Sequence, residues 1–221
     1  MPVSLDALID QLKTGATASE VYGVVAPSNR SRATVEKVLD EAVEVLATEG
    51  VSGLSFRALA RRCDMRLSNL QYYFATQDAL LTAVTRHASA ARLEELRARG
   101  ALTLPDLRER FHAYLDFCMD RARTPRAQAI ASGLKDLAQR LDGPAKHFGA
   151  ACQFHIHILE EMVAAFSSDL PAQTVTHKAV MIAGLVDTVG PMCGMAYAPP
   201  EGLREAILTQ ASDIAGATAG L

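Results

Sequence analysis

The chain of 221 residues is long enough for one large domain, or two small ones, with a buried core. Its 49% hydrophobic and 21% charged residues exclude an intrinsically disordered chain, and 5% aromatic residues with no tryptophan favour helices over strands. The four cysteines stand far apart without a Cys-x-x-Cys pair, which argues against a zinc site and a disulfide scaffold. We therefore expect a helical protein of the cytoplasm, with no secretory leader and no membrane-spanning segment.

The first 30 residues are predicted to form an N-terminal extension. A short amphipathic stretch over Ser4–Lys13 is followed by a polar segment, and Pro27, Ser28 and Asn29 indicate a loop before the next helix. Two alternatives remain open for this extension: an unfolded leader, or a helix packed on the rest of the protein.

Helical periodicity begins at Ser31. The first helix is predicted to end at Gly50, because glycine readily adopts the left-handed conformation of a helix cap. Ser55 is expected to cap a short second helix, a third covers 67–74, and Thr76 is expected to cap a fourth that runs to about residue 100. The predicted buried positions are Val35, Val38, Leu39, Ala42, Val45 and Leu46 in the first helix, and Phe56, Leu59, Ala60 and Cys63 in the second.

Beyond residue 105 the sequence predicts five longer helices separated by proline and glycine. Proline is tolerated in a first helical turn because its missing N–H has no intrahelical partner there. The predicted helices are Pro105–Arg123, Arg126–Arg140, Pro144–Ser167, Pro171–Gly190 and Pro200–Thr218. We find no convincing strand, so the predicted fold class is all-α. The predicted domains are the extension over 1–30, a three-helix helix-turn-helix domain over 31–80, and a larger helical domain over 81–221.

The second and third helices have the spacing of a helix-turn-helix. About three residues join them, which suits a crossed pair, and Leu70 and Phe74 can face inward. The outer side of the third helix then carries amide side chains, which can pair with adenine, and tyrosine hydroxyls, which can reach phosphates. We therefore predict that this helix enters the DNA major groove. The predicted DNA contacts are Ser55, Arg57, Arg66, Leu67, Ser68, Asn69, Gln71, Tyr72, Tyr73 and Thr76.

The distribution of charge matters more for this prediction than the net charge of −3. Between Ser55 and Thr76, four arginines face a single acid, Asp64. Arg30 and Arg32, ahead of the first helix, are candidates for phosphate or minor-groove contact, with a solvated arm as the alternative. For the polar helix face, the alternatives are simple solvation or a helical adaptor, in which the same face meets a protein partner.

Residues 32–81 carry a series of motifs in a fixed order. The motif residues are Ala42, Leu46, Glu49, Gly50, Ser55, Arg57, Leu59, Ala60, Arg61, Leu70, Tyr72, Tyr73, Phe74, Gln77, Asp78, Ala79, Leu80 and Leu81. In order and spacing, this segment resembles the DNA-binding domain of the TetR (tetracycline-repressor-like) transcriptional regulators. It departs from that family at Asp64, where a glycine is frequent, and at Arg66, where a capping serine is frequent; the cap is either lost or moved to Ser68.

The resemblance implies a homodimer whose last two helices pair as a four-helix bundle. Each small domain would place its recognition helix in one half of a palindromic double-stranded DNA operator, and half-sites on one duplex face lie about 34–36 Å apart. A small-molecule effector, bound in the C-terminal domain, would release the DNA, and such regulators are most often repressors. We expect no cofactor. No nucleophile–base arrangement, phosphate loop or HExxH motif indicates an enzyme.

Inward-facing positions of the later helices supply candidates for the effector pocket and the subunit interface. A pocket needs a few polar groups among apolar ones, and a filled core is the alternative. The candidate pocket residues are Phe111, Tyr114, Cys118, Leu134, Phe148, Cys152, His155 and Leu159. The candidate interface residues are Ile182, Leu185, Val186, Val189, Leu203, Ile207 and Ile214. No metal site is predicted, because His155 and His157 lie on roughly opposite sides of a helix.

Overall fold

The structure is a computed structural model that describes residues 4–193 and 200–217, and only the backbone of 189–193. Helices dominate the described residues, which confirms the all-α prediction. The helices are α1 (Leu5–Lys13), α2 (Asn29–Thr48), α3 (Phe56–Arg62), α4 (Leu67–Tyr73), α5 (Gln77–Arg99), α6 (Leu107–Arg123), α7 (Pro125–Arg140), α8 (Asp142–Phe166), α9 (Ala172–Cys193) and α10 (Leu203–Ala215). None of the described helices has the length and apolar composition needed to cross a bilayer.

The N-terminal extension is folded, which decides between the two alternatives left by the sequence. Ser4 caps α1, and α1 buries Leu8, Ile9 and Leu12. A short antiparallel hairpin follows, and it corrects the prediction that the chain has no strand. Its strands are β1 (Glu20–Val21) and β2 (Val24–Val25), with Val21 opposite Val24.

The hairpin is closed by two residues, Tyr22 and Gly23, whose φ angles are 51° and 78°. Positive φ at both positions matches the right-handed twist of a two-residue hairpin, and glycine adopts it without steric cost. The strands were missed in the sequence because two residues each are too few to show alternation.

The helices around the predicted helix-turn-helix follow their local capping signals. α2 begins two residues earlier than predicted, because the Ser28 and Ser31 hydroxyls form a reciprocal capping box. Ser55 accepts a hydrogen bond from the Ala58 amide at 3.2 Å, and Thr76 accepts one from the Ala79 amide at 3.1 Å. All six predicted apolar positions of α2 are buried. Gly50 follows α2 with a φ of 71°, but its ψ of −169° lies outside the left-handed helical region.

The chain forms two compact units. The first contains the described residues up to Glu95 together with 129–151, and the second contains 96–128 and the described residues from Cys152 onward. The first unit therefore includes most of α7, whose Gly133 is so close to Leu46 of α2 that an added Cβ would collide with the leucine. The functional division at residue 80 stays a prediction.

In the second unit, α6 packs against α9, and α9 packs against α10. The Phe111 and Phe166 rings meet edge to face at 5.5 Å. Arg204 of α10 pairs with Asp116 at 2.6 Å and Asp120 at 2.9 Å, both on α6. The hydrogen bond that Arg204 donates to Asp120 holds the pKa of Asp120 below its usual range, and one from Arg99 adds to this effect, although burial acts in the opposite direction. α10 is thus tied to α6 by charge as well as by packing.

Candidate nucleic-acid interface

α3 and α4 are held in a crossed pair by a tight turn. Leu70 and Phe74 of the α4 segment are completely buried, as predicted. In the turn, the Met65 amide donates to the Ala60 carbonyl oxygen at 2.8 Å, and Asp64 has a φ of 53°. The turn therefore requires the left-handed conformation that glycine adopts most easily, and here an aspartate adopts it.

The first turn of α4 has no side-chain cap. Arg66 occupies the cap position in an extended conformation and accepts no hydrogen bond through its side chain. The cap is thus lost rather than moved to Ser68. The free amides of this first turn are left to water or to an external acceptor, such as a phosphate oxygen.

The outer side of α4 is polar and exposed. Tyr72 is 77% exposed, and its ring meets that of Tyr73 edge to face at 5.2 Å. Asn69 and Gln71 are also exposed, whereas Tyr73 is half-buried. Within residues 4–193 and 200–217, these four side chains make no hydrogen bond to the protein. Of the remaining predicted contacts, Leu67 is half-buried and the others are exposed: Ser55, Arg57, Arg66, Ser68 and Thr76.

The arginines of this segment divide into two groups. Arg62 forms ion pairs with Glu41 at 3.3 Å and with Glu49 at 3.1 Å. It therefore connects α3 both to α2 and to the residue that caps the C-terminal end of α2. Arg57, Arg61 and Arg66 are exposed and have no ion pair with the described part of the chain. These three arginines therefore contribute the uncompensated positive charge of this segment.

A groove of about 740 Å³ lies between the beginning of α2 and the outer side of α4. We call it the α2–α4 groove. Its lining residues are Ser28, Arg30, Ser31, Ala33, Thr34, Lys37, Cys63, Asp64, Met65, Asn69, Tyr72 and Tyr73. The hydroxyls of Ser28, Ser31 and Thr34, and the ammonium group of Lys37, were not among the predicted contacts. The capping box of Ser28 and Ser31 is the local signal that could have shown that α2 begins at this groove. Lys37 also donates to the Cys63 carbonyl oxygen at 3.1 Å and so steadies the end of α3.

Two further side chains of this region have structural roles. The Arg32 guanidinium donates to the Ala18 carbonyl oxygen at 2.5 Å, which directs it toward the N-terminal extension, whereas Arg30 lines the groove. Burial raises the pKa of the Cys63 thiol, and Glu41 adds to this effect, while Lys37 and Arg62 oppose it. A buried thiol that stays protonated is a poor nucleophile, so Cys63 serves as a small core residue.

Comparison with known proteins identifies this segment. Residues 38–84 match the family of bacterial regulatory proteins called the tetR family. The helix-turn-helix segment of this chain is thus similar to that of the tetR family. A stretch of 55 residues is 49% identical to an uncharacterized HTH-type transcriptional regulator in the dhlA 5′ region of Xanthobacter autotrophicus. That stretch spans about a quarter of either protein, 25% of this chain and 27% of the relative.

Solved structures extend the likeness to the TetR fold over most of the chain. A transcriptional regulator from Rhodococcus sp. Rha1 is similar with a TM-score of 0.69 at 18% identity, over 81% of this chain and 95% of that one. The multidrug binding protein EbrR, complexed with malachite green, is similar with a TM-score of 0.60 at 19% identity, over 81% and 96%. A TetR-family member from Streptomyces coelicolor A3 gives 0.58 at 23% identity, over 80% and 97%.

The residues proposed for a TetR-type effector pocket are mostly buried. Six of them are buried, as predicted for inward-facing positions: Phe111, Tyr114, Cys118, Leu134, His155 and Leu159. Phe148 is half-buried, and Cys152 is exposed, which corrects the prediction that Cys152 faces inward. The α8 face in the second unit instead buries Phe154, which was not predicted.

A polar pair lies within this buried set. The Tyr114 hydroxyl and His155 Nδ1 are 2.6 Å apart, and His155 Nε2 lies 4.0 Å from Asp187 Oδ2. Leu134 and Phe148 belong to the first unit and the other candidates to the second. The role of all these residues as a pocket remains a prediction.

The structure changes the set of residues available for TetR-type subunit pairing. Ile182, Val186 and Ile207 are buried within the protomer, so a partner cannot reach them, and this part of the interface prediction is corrected. The half-buried candidates are Leu185, Leu203 and Ile214, and the Val189 side chain lies outside the described part of the structure. Among the α9 side chains that the structure describes, the large apolar ones that are exposed are instead Val180 and Met181.

Proposed function

We propose that this chain is a transcriptional regulator that binds double-stranded DNA with α4 in the major groove. The observation that carries the proposal is the outer side of α4, where the side chains of Asn69, Gln71, Tyr72 and Tyr73 make no hydrogen bond to the described residues. Amide side chains can form paired hydrogen bonds with a base edge, and tyrosine hydroxyls can donate to phosphate oxygens. The match of residues 38–84 to the tetR family of bacterial regulatory proteins supports the same assignment.

The α2–α4 groove is suited to the phosphate backbone beside that major groove. Arg30 and Lys37 supply positive charge, and the hydroxyls of Ser28, Ser31 and Thr34 line the same side. Contacts of this kind fix the register of a protein on the duplex but do not read its sequence. We therefore assign backbone contact to α2 and sequence reading to α4.

We propose that the regulator acts as a homodimer on a palindromic operator. On α9, Val180 and Met181 are 51% and 57% exposed, and Gly184 lies one turn further along with open space around its Cα. Burial of such a face against a second copy removes apolar area from water, and a two-fold arrangement matches a two-fold operator. Leu185, half-buried beside this face, completes the proposed contact.

We propose further that a small molecule releases the DNA and that the chain represses transcription in the cytoplasm. The EbrR structure contains malachite green, a small organic molecule bound by a protein of similar fold. In this chain, the buried Tyr114–His155 pair offers polar groups within an apolar surround, which is the composition of a small-molecule site. The effector must bind the DNA-competent and DNA-released forms with different affinity.

The test is a selection of bound fragments from genomic DNA, followed by a salt series on the recovered duplex. We expect a palindromic sequence to be enriched, and log affinity to fall linearly with log salt, because phosphate-bound cations are released. A random duplex of the same length is the control and should bind weakly with a similar slope. Failure to enrich any sequence, with a shallow salt dependence, would favour the helical adaptor that uses this face for a protein partner.

A further inference from the structure

The N-terminal extension is attached to α5 through Arg86. The Arg86 guanidinium donates from Nε to the Leu12 carbonyl oxygen at 2.9 Å and from Nη2 to that of Gln11 at 2.9 Å, and it also reaches the carbonyl oxygen of Thr14. These carbonyl groups lie at the end of α1, where they have no intrahelical partners. A cation at a helix C-terminus is also favoured by the helix dipole. Arg86 thus caps α1 from a different helix.

The tip of the hairpin is buried, although hairpin tips are usually exposed. Tyr22 is only 5% exposed, and its ring meets the His87 ring edge to face at 4.8 Å. His87 Nε2 also lies 2.7 Å from Asp40 Oδ1, so the histidine that contacts Tyr22 joins α5 to α2. Burial raises the pKa of Tyr22 to about 12, and the nearby Glu94, Glu36 and Asp40 add to the shift. Tyr22 therefore lies close to charged groups of both α2 and α5.

The turn sequence fits this location. A Cβ added to Gly23 would lie 2.9 Å from Arg86 Nη1, so a side chain there would displace the guanidinium or the turn. Two further contacts connect the extension to these helices. Lys13 pairs with Glu94 of α5 at 2.6 Å, and Arg32 of α2 donates a hydrogen bond to the Ala18 carbonyl oxygen. The extension consequently bridges α2 and α5.

α2 is in turn connected to the DNA-facing helices. Lys37 donates to the last turn of α3, and Arg62 of α3 pairs with Glu41 of α2. A shift of α2 against α5 would therefore move α3, and with it α4. Ser28, at the end of the extension, lines the α2–α4 groove as the cap of α2, whereas residues 4–27 are not among the residues that line it.

We propose that residues 4–28 form a positioning element that holds α2 against α5 and so sets the pose of α4, with Arg86 as its main anchor. The DNA readout of this proposal rests on the proposed function. Arg86 is a positioning residue, because it acts through α1 and the hairpin. The extension is then a conformational support for DNA recognition rather than an arm that reaches into the minor groove.

The test compares Arg86→Ala with two matched controls in the full chain. Arg140→Ala removes an arginine from α7 in the same unit, and Leu137→Ala removes buried apolar volume there. The first readout is amide hydrogen exchange of α2 and α4, measured without DNA. Each variant is measured under conditions that give it the same global free energy of unfolding as the others. Affinity for the duplex recovered by genomic selection, with its salt dependence, is the second.

We expect Arg86→Ala to speed the exchange of α2 and α4 amides and to weaken DNA binding about tenfold, a usual size for coupling between linked sites. The salt slope should not change, because the phosphate contacts are retained. Arg86→Lys should restore little, since an ammonium cannot reproduce the forked donor geometry. If Arg86→Ala does not fold, Gly23→Ala gives the same test by crowding the guanidinium.

The proposal is overturned if Arg86→Ala and Gly23→Ala change hydrogen exchange and DNA binding no more than Arg140→Ala does. It is also overturned if, at matched stability, their effects equal those of Leu137→Ala, because the effects would then reflect general destabilisation. If the wild-type chain binds no DNA, the proposed function fails. The exchange measurement then still decides whether the extension positions α2.

Discussion

Two helices of this protein expose surfaces of opposite chemistry. On α4, Asn69, Gln71 and Tyr72 present hydrogen-bonding groups to solvent, whereas on α9 the exposed side chains Val180 and Met181 are apolar. Polar groups gain from a partner only when donors and acceptors match in position, because they give up hydrogen bonds to water. Apolar groups gain simply by leaving water. The comparison teaches that the α4 surface suits selective recognition and the α9 surface suits association.

The largest expected effect removes the aromatic part of the α4 surface. We expect the double variant Tyr72→Ala and Tyr73→Ala to lose operator affinity about 100-fold or more, since two contacts of about 1–3 kcal/mol each are removed. Fluorescence anisotropy on the selected duplex measures the loss. Helix content and native mass should not change, because Tyr72 is largely exposed. The double variant Tyr72→Phe and Tyr73→Phe keeps the rings and removes the hydroxyls, so it shows which of the two contributes to affinity. If the Ala variant binds the operator as tightly as the wild type, the α4 surface does not recognise DNA.

The next effect tests the α9 surface. Met181→Asp places a charge in the proposed interface between copies, where an unpaired buried charge costs about 3–5 kcal/mol, or more than 100-fold in dimer affinity. Sedimentation across a concentration series should show a monomer. Val25→Asp is the control, because Val25 is also 60% exposed but lies in the hairpin. Equal mass for both variants and the wild type would exclude this face of α9 from subunit pairing.

The third effect separates two arginines of α3 that are close in sequence. Arg57→Ala should weaken operator binding by about 1–3 kcal/mol if Arg57 reads a base. Arg62→Ala should instead lower the free energy of unfolding by about 1 kcal/mol or less, because its ion pairs with Glu41 and Glu49 are partly exposed. Binding to selected and random duplexes, together with urea unfolding, distinguishes the two. An equal loss for Arg57→Ala on random DNA would assign this residue to phosphate.

The fourth effect concerns the stability of the packing between α7 and α2 and not the binding of DNA. Gly133→Ala should destabilise the first unit by about 1–3 kcal/mol, because the new methyl group collides with Leu46 of α2. Gly149→Ala is the matched control in α8, with no atom within 4 Å of the new Cβ, and it should stabilise by up to about 1 kcal/mol through helix propensity. Thermal unfolding of both variants decides the matter. A loss of stability in both would contradict the close approach of α7 to α2.

The helices around the DNA-facing surface could be predicted because their signals are local. Ser55 and Thr76 are capping residues that act within three residues of themselves, and both perform that role. The hairpin could not be predicted in this way, because Tyr22 and Gly23 are fixed by Arg86 and His87, which are more than 60 residues away in the chain. Tertiary contact, not propensity, forms that turn.

The interface residues of α9 illustrate a different limit. Its sequence is apolar at 179–183 and again at 185–186, so nearly every side of the helix has apolar residues. Periodicity cannot choose a buried face under those conditions. Packing against α6 and α10 makes the choice, and it buries Ile182 and Val186 while leaving Met181 outside. Cys152 was placed inward for a related reason, since α8 has apolar residues around much of its circumference.

Asp64 has two features that bear on the proposed binding of DNA. Its left-handed backbone, with a φ of 53°, carries a steric cost of about 1–2 kcal/mol that glycine would not, and its carboxylate faces the groove assigned to phosphate. The steric cost lowers the stability of the fold, whereas repulsion between the carboxylate and a phosphate would shorten occupancy of the proposed operator. We expect Asp64→Gly to lengthen the residence time on DNA, as surface plasmon resonance would measure, and to raise the effector concentration needed to start transcription. If the proposed function holds, this carboxylate would shorten the lifetime of the complex with DNA, and the regulated genes would respond faster to the effector.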